Sequence, residues 1–386
     1  MNIIFFTEIS PFPVNGGEKI RVYGFLKALS ELGHFTKLVC QNKDNYDFEN
    51  MGIENVDVIQ YKNSPPNLFQ KCLSSFYIGT NSKVLDVIKY LILNQHVDVI
   101  FLDFFLAPRY IRTLKKYDIP IVISTHNAES HLIWQYPYHG VLSWLRKAEN
   151  YCVVRLMEKL YYKYSTHLIA VSDSDGEFHS RFYPRRKISV IPNFLDEKIY
   201  VSSEIRDDYF IMPANFGAYM NVEGLKWFVN NVWNEDIDKK KRLLIVGRKS
   251  QEVFKEFKIA ERFKNIKAIG EVDDTKPYIA KARAVLIPLL QGSGARLKCL
   301  EAMALKTPVI GTSKGVEGIH SKNIFIADSV TDFRRLLLTV DYSKSIGDAL
   351  YDDFLQNYSL SVNKERINVL LKSLDQHSKS SNRRSI

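Results

Sequence analysis

Short apolar runs recur along the chain and are separated by longer segments with helical spacing. In the first half these runs are NIIFFTEI, FTKLVCQ, VDVIQY, VDVIFLDF, IPIVIST, THLIAVS and ISVIPNF. Continuous apolar runs of this kind are typical of strands that are buried on both faces of a parallel sheet. Their alternation with helices predicts an α/β domain.

The segments between these runs have the periodicity of amphipathic helices. Residues 17–32 are predicted to form one helix and residues 142–165 a longer one. The face of the longer helix that is predicted to point inward consists of Leu142, Leu145, Cys152, Leu156, Leu160 and Tyr164.

The same pattern restarts after residue 208 with YFIMPANF, RLLIVGR, NIKAIGE, AVLIPLL, PVIGT and NIFIAD. Two Rossmann-like, doubly wound parallel-sheet domains are therefore expected, with ligands bound in a central cleft at the carboxyl ends of the strands. Residues 194–208 are polar and without periodicity, which predicts a linker. The predicted division is residues 1–193 completed by a helix at about 356–376, residues 194–355, and a flexible basic tail at 377–386.

Composition narrows the class of protein. The chain has 386 residues, of which 46% are hydrophobic, and this is enough for two cores. A net charge of +10 favours anionic partners but does not separate nucleic acid, nucleotide sugars and membrane phosphates. A transmembrane run and a signal peptide are both absent from the sequence, so a cytoplasmic location is expected. The four cysteines are scattered without zinc-ligand spacing, which predicts buried free thiols.

Two loops at predicted strand ends in the first domain carry candidate ligand-binding residues. Gly16 and Gly17 start the first helix, where a phosphate or sugar can approach backbone N–H groups. The spacing is not that of the dinucleotide fingerprint, and a turn that needs positive φ is the structural alternative. His126 and Asn127 follow a strand, with Glu129 nearby, and an α/β fold places its site at such a strand end.

Two other polar patterns in this domain favour structural interpretations. A metal site made of His126, His131 and His139 is disfavoured because the spacing matches no compact ligand set. Asp173 and Asp175 resemble a D-x-D metal motif, but they stand between an apolar strand and a helix, where N-capping is the expected role. No metal is therefore expected.

The stretch QGSGARLKCLEAMALKTPVIGTSKGVEG carries the main candidate site. Gly292 and Gly294 let a ligand approach the backbone closely. Arg296 and Lys298 begin the helix that follows, where the helix dipole disfavours positive charge, so a bound anion is expected there. The spacing is not that of a P-loop. Glu301 does not share a face with Arg296, so an i,i+4 salt bridge does not explain the set.

This stretch resembles the nucleotide-sugar signature of family-four glycosyltransferases, which have the GT-B fold. Four further segments occur in the order found in that family, namely PVNGGEKIRVYGFLKALSELGH, THNAES, AVSDSDGEFHSRFYPRRKISVIPNF and NYSLSVNKERINVLLKSL. The resemblance covers nearly the whole chain. It implies transfer of a glycosyl group from a nucleoside-diphosphate sugar, with retention of anomeric configuration and without an essential metal or cofactor.

The resemblance also implies roles for single residues. Glu301 matches the second glutamate of the E-x7-E motif, which holds the ribose hydroxyls. His126 matches the histidine that contacts the donor sugar and is the predicted catalytic residue. Gly16 and Gly17 match the loop near the diphosphate and acceptor, to which Asn127 and Glu129 are added. The predicted donor-binding set is Arg248, Val272, Gly292, Ser293, Gly294, Arg296, Lys298, Leu300 and Glu301.

The sequence departs from the family pattern in two places. The first glutamate of the motif falls at Ser293, so its contact with the sugar is lost or replaced. Many relatives place an arginine and a lysine after the first strand of the second domain, where only Lys226 is available. Arg296 and Lys298 are therefore expected to supply the cations for the diphosphate, with Arg248 as a further candidate.

The expected function is transfer of a sugar to a glycan or lipid-linked acceptor in surface polysaccharide or glycoconjugate synthesis, with no role for nucleic acid. A sugar-nucleotide epimerase of the same shape would need no acceptor, and a non-catalytic nucleotide-sugar-binding protein would not turn over; both remain alternatives. The inner face of an anionic membrane is a further expected partner, because the first domain carries a set of basic residues. Ordinary solvated helix faces explain these basic residues equally well. These residues are Arg112, Lys115, Lys116, Arg146, Lys147, Arg155, Lys159 and Lys163.

Overall fold

The structure is a computed structural model, and it describes residues 1–12, 14, 16–42, 51–62, 80–104, 106–135, 140–184, 186–291, 296–340 and 342–382. The chain divides into two compact units. Unit 1 comprises Met1–Phe194 and Leu360–Ile386, and unit 2 comprises Leu195–Ser359. Each unit contains a parallel β-sheet, which confirms the fold class predicted from the alternating pattern.

Unit 1 is built on a sheet with the strand order β3-β2-β1-β4-β5-β6-β7, in which neighbouring strands are parallel. The strands are β1 (Asn2–Thr7), β2 (Phe35–Gln41), β3 (Val56–Tyr61), β4 (Val99–Asp103), β5 (Ile121–Ser124), β6 (His167–Ala170) and β7 (Lys187–Val190). The helices are α1 (Gly17–Glu31), α2 (Ser82–Asn94), α3 (Ile111–Leu114), α4 (Glu129–Gln135), α5 (Val141–Tyr161) and α6 (Asp173–Phe182).

Both faces of this sheet are covered by apolar side chains. Successive residues of a strand point to opposite faces. Phe5 stacks on Phe101 with a ring-centroid distance of 5.6 Å in one core cluster, to which α1 contributes. Phe6 meets Tyr110 edge-on at 4.9 Å in the other cluster, to which α2 contributes. The runs are apolar at nearly every position because both faces are buried.

Unit 2 is built on a second parallel sheet, with the strand order β10-β9-β8-β11-β12-β13. The strands are β8 (Phe210–Pro213), β9 (Leu243–Val246), β10 (Ile266–Gly270), β11 (Ala284–Ile287), β12 (Val309–Gly311) and β13 (Phe325–Ile326). The helices are α7 (Tyr219–Trp227), α8 (Glu235–Asp238), α9 (Ser250–Glu256), α10 (Ile259–Arg262), α11 (Lys276–Lys281), α12 (Leu297–Ala304), α13 (Val330–Thr339) and α14 (Lys344–Asn357).

The chain then returns to unit 1 through α15 (Leu360–Asn382). Lys364 Nζ lies 2.7 Å from Glu31 Oε2 of α1. The helix continues into the segment 377–386 that was predicted as a basic tail, and no glycine or proline interrupts it before its end. The side chains with which α15 joins the core beside α1 are apolar, namely Leu360, Ile367, Leu370, Leu371 and Leu374.

The inward face predicted for the long helix is wrong for four of its six residues, whereas Leu160 and Tyr164 are partly buried and pack against the core as predicted. Leu142, Leu145 and Leu156 are 80%, 62% and 53% exposed in α5. Cys152 is also exposed, although a buried thiol was expected. The buried side of α5 is the opposite one, formed by Lys147, Val154, Met157, Glu158 and Tyr161.

Two buried charged residues explain this rotation. Glu158 accepts hydrogen bonds from Ser130 N at 3.2 Å and from Ser130 Oγ at 2.7 Å, at the start of α4. Lys147 Nζ lies 5.1 Å from the centroid of the Trp134 ring. A hydrophobic pattern assigns Lys and Glu to solvent and therefore chooses the opposite face. The contacts of Glu158 with Ser130 and of Lys147 with Trp134 therefore place the polar side of the helix in the interior.

The same contacts reduce the set of basic residues that could face a membrane. Lys147 is buried. The Arg155 guanidinium lies 3.6 Å from the centroid of the Phe182 ring and donates a hydrogen bond of 3.0 Å to Glu158. Both residues therefore belong to the packing of unit 1 and are removed from the predicted membrane-facing set.

The rotated helix predicts which truncations destabilise the protein. Met157→Ala should lower the free energy of unfolding by about 2–5 kcal/mol, because it leaves a cavity in the core. Leu145→Ala, at an exposed position, should change it by less than about 0.5 kcal/mol. Urea unfolding followed by circular dichroism measures both. A larger loss for Leu145→Ala than for Met157→Ala would restore the face predicted from the sequence.

Candidate functional site

Polar residues end three neighbouring strands of unit 1. Thr7 ends β1 and Asp103 ends β4, and the two are paired in register. His126 lies just after β5. Thr7 Oγ1 donates a hydrogen bond of 3.2 Å to Asp103 Oδ2, and His126 Nε2 lies 3.1 Å from both carboxylate oxygens of Asp103. The three side chains thus form one hydrogen-bonded chain at the edge of the sheet.

This chain fixes the orientation of the His126 ring. Asp103 is fully buried, and His126 Nε2–H donates to its carboxylate. Nδ1 makes no hydrogen bond to a described residue, which leaves this nitrogen able to accept one. The Phe104 ring stands edge-on to the imidazole at 5.4 Å, and Phe104 has a φ of 77°, in the left-handed region that non-glycine residues rarely adopt.

The segment after His126 is tied to a helix N-terminus. Asn127 Nδ2 donates a hydrogen bond of 3.0 Å to Glu129 Oε1, and Ala128 N donates one of 3.0 Å to Asp175 Oδ1. The N-cap of α6 is Ser172, whose side chain accepts a hydrogen bond from Asp175 N. The segment therefore caps the helix, but through the serine, and Asp173 and Asp175 lie in the first turn. Burial raises the pKa of Glu129 to about 7, against the hydrogen bond from Asn127.

Gly16 is the N-cap of α1 and has an extended backbone, with φ −164° and ψ 159°. A Cβ atom built there would meet no atom within 4 Å. Neither a positive φ nor crowding by described atoms therefore requires glycine at this position, so the turn alternative is wrong for Gly16. Gly17 is the first residue of α1. Open space beside a helix N-terminus suits an incoming anion.

In unit 2, the loops after β8, β9 and β10 meet at the carboxyl edge of the sheet. Phe216 N donates a hydrogen bond of 2.9 Å to Arg248 O, and Gly247 N donates one of 2.7 Å to Gly270 O. Gly247 has a φ of 122°, and a Cβ atom there would lie 2.2 Å from Ala214 O. Only glycine permits this approach of two backbones.

Lys298 connects α12 to the first turn of α7, which follows the loop after β8. Its Nζ donates a hydrogen bond of 2.9 Å to Asn221 Oδ1. Asn221 Nδ2 in turn donates to Asn215 O at 2.8 Å, and Gly217 N donates to Asn215 Oδ1 at 2.9 Å. Lys226, which the sequence offered as the cation of this loop, is exposed on α7. Lys298 is thus a cation that the structure holds at this loop.

Arg296 is the N-cap of α12, and its side chain is buried. Its Nη2 lies 3.3 Å from Glu317 Oε2, which also accepts a hydrogen bond of 2.7 Å from Lys314 Nζ. Glu317 could not be predicted from the sequence, because no spacing rule connects the turn after β12 to the start of α12. A half-exposed carboxylate therefore pairs with two cations beside the helix N-terminus.

Burial shifts two pKa values on α12 toward neutrality. It raises the pKa of Glu301 to about 7, against the charge of Lys276 and, more weakly, of Lys298. It lowers the pKa of Lys298 to about 8, and the positive charge of Arg296 acts in the same direction. Both charged forms lack part of the solvation that they would have in water, so each would be stabilised by a ligand of suitable chemistry.

The other predicted donor-binding residues differ in how exposed their side chains are. Arg248 is exposed, and Val272 is partly exposed. Leu300 is 1% exposed, so its side chain contributes to packing. Three members of the set lie outside the described residues, namely Gly292, Ser293 and Gly294.

Within the described ranges, no group of three or more His, Cys, Asp or Glu side chains is arranged to hold a metal ion. None of the helices in that part of the chain is long and apolar enough to cross a bilayer.

Comparison with known families identifies the class of protein. Residues 15–198 match the family Glycosyltransferase Family 4, and residues 208–340 match Glycosyl transferases group 1. The chain is a glycosyltransferase of the group 1, family 4 type. The two matches include Asp103 and His126 of unit 1 and the α12 residues of unit 2, whereas Thr7 lies before the first match. This glycosyltransferase is 24% identical over 378 residues to an uncharacterized 44.6 kDa protein in the cps region of Klebsiella pneumoniae, covering 89% of this chain and 91% of the relative.

Solved structures are similar over nearly the whole glycosyltransferase. Sucrose-phosphate synthase from Thermosynechococcus elongatus matches with a TM-score of 0.76 at 14% identity, covering 97% of this chain and 99% of the other. HepE from Anabaena, in complex with UDP and glucose, matches with a TM-score of 0.63 at 15% identity, covering 97% and 100%. These likenesses confirm the GT-B fold.

The Asp103–His126 contact predicts a selective effect on turnover. Asp103→Asn should lower kcat by roughly tenfold to a hundredfold, because the amide no longer fixes the ring tautomer. Donor affinity should change little. Thr7→Val, which removes the hydroxyl, is the matched milder variant. Steady-state kinetics across pH measure both. An unchanged kcat with an unchanged pH profile would show that Asp103 does not act through His126.

The lowered pKa of Lys298 predicts a pH dependence of ligand binding. The amine loses its charge as pH rises through about 8. Affinity for a nucleoside diphosphate should therefore fall above that pH, by up to about tenfold per pH unit. Lys298→Arg keeps its charge and should show a flatter profile. Calorimetry in buffers of different ionisation enthalpy should detect proton uptake by the native protein on binding. Identical profiles for both proteins would contradict the assignment.

Proposed function

We propose that this glycosyltransferase moves a sugar from a nucleoside-diphosphate donor to a glycan or lipid-linked acceptor, with retention of configuration and without an essential metal, in polysaccharide biosynthesis. The observation that carries the proposal is the placement of Arg296 and Lys298 at the start of α12, beside Glu301. The relative in a cps region supports the pathway class. The neighbour in complex with UDP and glucose supports the donor class.

The cations suit the chemistry of the leaving group. A nucleoside diphosphate gathers negative charge as the glycosidic bond breaks. Arg296, Lys298 and the first-turn N–H groups of α12 place positive charge in a fixed arrangement, which stabilises a developing anion without reorganisation. Glu317 pairs with Arg296 in the structure. We propose that the diphosphate takes over this contact when the donor binds.

Glu301 suits the ribose. Its pKa of about 7 shows that burial opposes the carboxylate form. Two ribose hydroxyls that donate hydrogen bonds would stabilise the carboxylate and offset that desolvation. In the proposed reaction the sugar is oriented through His126, whose Nε2 is already held by Asp103. A hydrogen bond from a sugar hydroxyl to Nδ1 fits the tautomer that this contact selects.

The cation assignment predicts a selective loss of affinity. Arg296→Ala or Lys298→Ala should weaken a nucleoside diphosphate by roughly tenfold to a hundredfold, because each removes one charge-assisted contact. The uncharged nucleoside should bind almost as before. Lys226→Ala, at an exposed position on α7, is the matched control and should change neither affinity. Isothermal titration calorimetry with both ligands measures the difference. Equal losses for nucleoside and nucleoside diphosphate would contradict the assignment.

The reaction itself is tested by mass-spectrometric detection of transfer to a panel of glycan and lipid-linked acceptors in excess chelator. Nuclear magnetic resonance of the product gives the anomeric configuration. Transfer in chelator with a retained anomer is the expected result. Activity that needs an added divalent ion would contradict the metal-independent proposal. Interconversion of donor sugars without an acceptor would identify an epimerase, and donor binding without any turnover would identify a binding protein.

A further inference from the structure

An apolar surface is exposed on unit 1 at the end of α4 and the start of α5. It consists of five side chains that are each at least half exposed, namely Trp134, Val141, Leu142, Trp144 and Leu145. The Trp134 and Trp144 rings are in edge contact, with centroids 5.8 Å apart. Single exposed apolar side chains are ordinary, but a contiguous group of this size marks an interaction site. We refer to these residues as the α5 apolar surface.

The exposed face of α5 extends this surface along the helix. Leu156 lies eleven residues after Leu145, which is three helical turns, so both side chains share one face. Lys159 and Lys163 follow on the same face and are exposed. Glu149 is also exposed on this face, between the two leucines. The face is therefore apolar toward the start of the helix and basic beyond its end.

More cations gather at the basic end. Lys115 Nζ and Lys163 Nζ lie 3.8 Å and 5.0 Å from the centroid of the Tyr164 ring. Lys116 is exposed next to Lys115. Arg146 is exposed within the apolar group. Positive charge therefore lies beside the apolar side chains and beyond them at the end of α5.

We propose that the α5 apolar surface inserts into the headgroup region of an anionic membrane, with Arg146, Lys115, Lys159 and Lys163 pairing with lipid phosphates. Leucine and valine side chains beside two tryptophans, with cations on the flanks, have the composition of an interfacial helix. An anionic lipid surface is complementary in charge to the exposed lysines. Only the purpose of this membrane contact rests on the proposed function: the contact would bring the enzyme to a lipid-linked acceptor.

The test measures binding of the full-length protein to vesicles of phosphatidylcholine with and without phosphatidylglycerol, in the absence of donor and acceptor. The double variant Leu142→Ser/Leu145→Ser should weaken partition onto anionic vesicles by about tenfold or more. Leu93→Ser is the matched control, because Leu93 is 72% exposed on α2, and it should bind as the native protein does. Urea unfolding and donor binding of each variant show that the fold is kept.

Insertion is separated from simple charge attraction by fluorescence. Lipids brominated near the headgroup should quench Trp134 and Trp144, which are exposed in unit 1, whereas Trp227 and Trp233 lie in unit 2, the first partly buried and the second buried. Trp134→Phe/Trp144→Phe should remove that quenching. Equal binding of the double leucine variant, or binding without quenching, would overturn the proposal. So would a concentration-dependent dimer that the leucine variant abolishes. Transfer to a water-soluble acceptor reports the proposed function separately.

Discussion

Parallel strands all end at the same edge of their sheet, and the candidate residues of this protein depend on that constraint. Thr7, Asp103 and His126 are far apart in the sequence and meet because β1, β4 and β5 are neighbours. In unit 2 the same rule brings together the loops after β8, β9 and β10. Helices begin at this edge as well, so it collects the positive ends of their dipoles. Residues that would be unfavourable elsewhere find anionic or polar partners there.

The charged residues at the start of α12 in unit 2 are arranged in a way that does not favour the stability of the fold. Lys298 and Arg296 lie close together, and burial lowers the pKa of the lysine. Burial also raises the pKa of Glu301. Asn221 and Glu317 relieve part of this by accepting hydrogen bonds from the two cations. Buried charges arranged in this way are electrostatically unfavourable by themselves, and the proposed diphosphate with its ribose hydroxyls would make them less so.

The sheets could be predicted from the sequence because strands buried on both faces read as continuous apolar runs. The helix α12 was found because glycine and cation spacing is a local signal. The face of α5 was missed because the buried Lys147 and Glu158 reverse the hydrophobic pattern. Asp103 was missed because its contacts with Thr7 and His126 depend on the pairing of strands that are far apart in the sequence. The one sequence signal was a charged residue at the end of an apolar run. Glu317 had no local signal.

Phe104 combines two demands that oppose each other. Its backbone has a φ of 77°, in the left-handed region that glycine adopts with less steric strain. Its ring, however, stands against the imidazole of His126. The residue that would suit the backbone best would therefore remove the ring that stands against the imidazole and leave Asp103 to hold it. Relief of the backbone by glycine would thus be set against the loss of a ring contact beside His126, so thermostability and preorganisation must be screened together at this position.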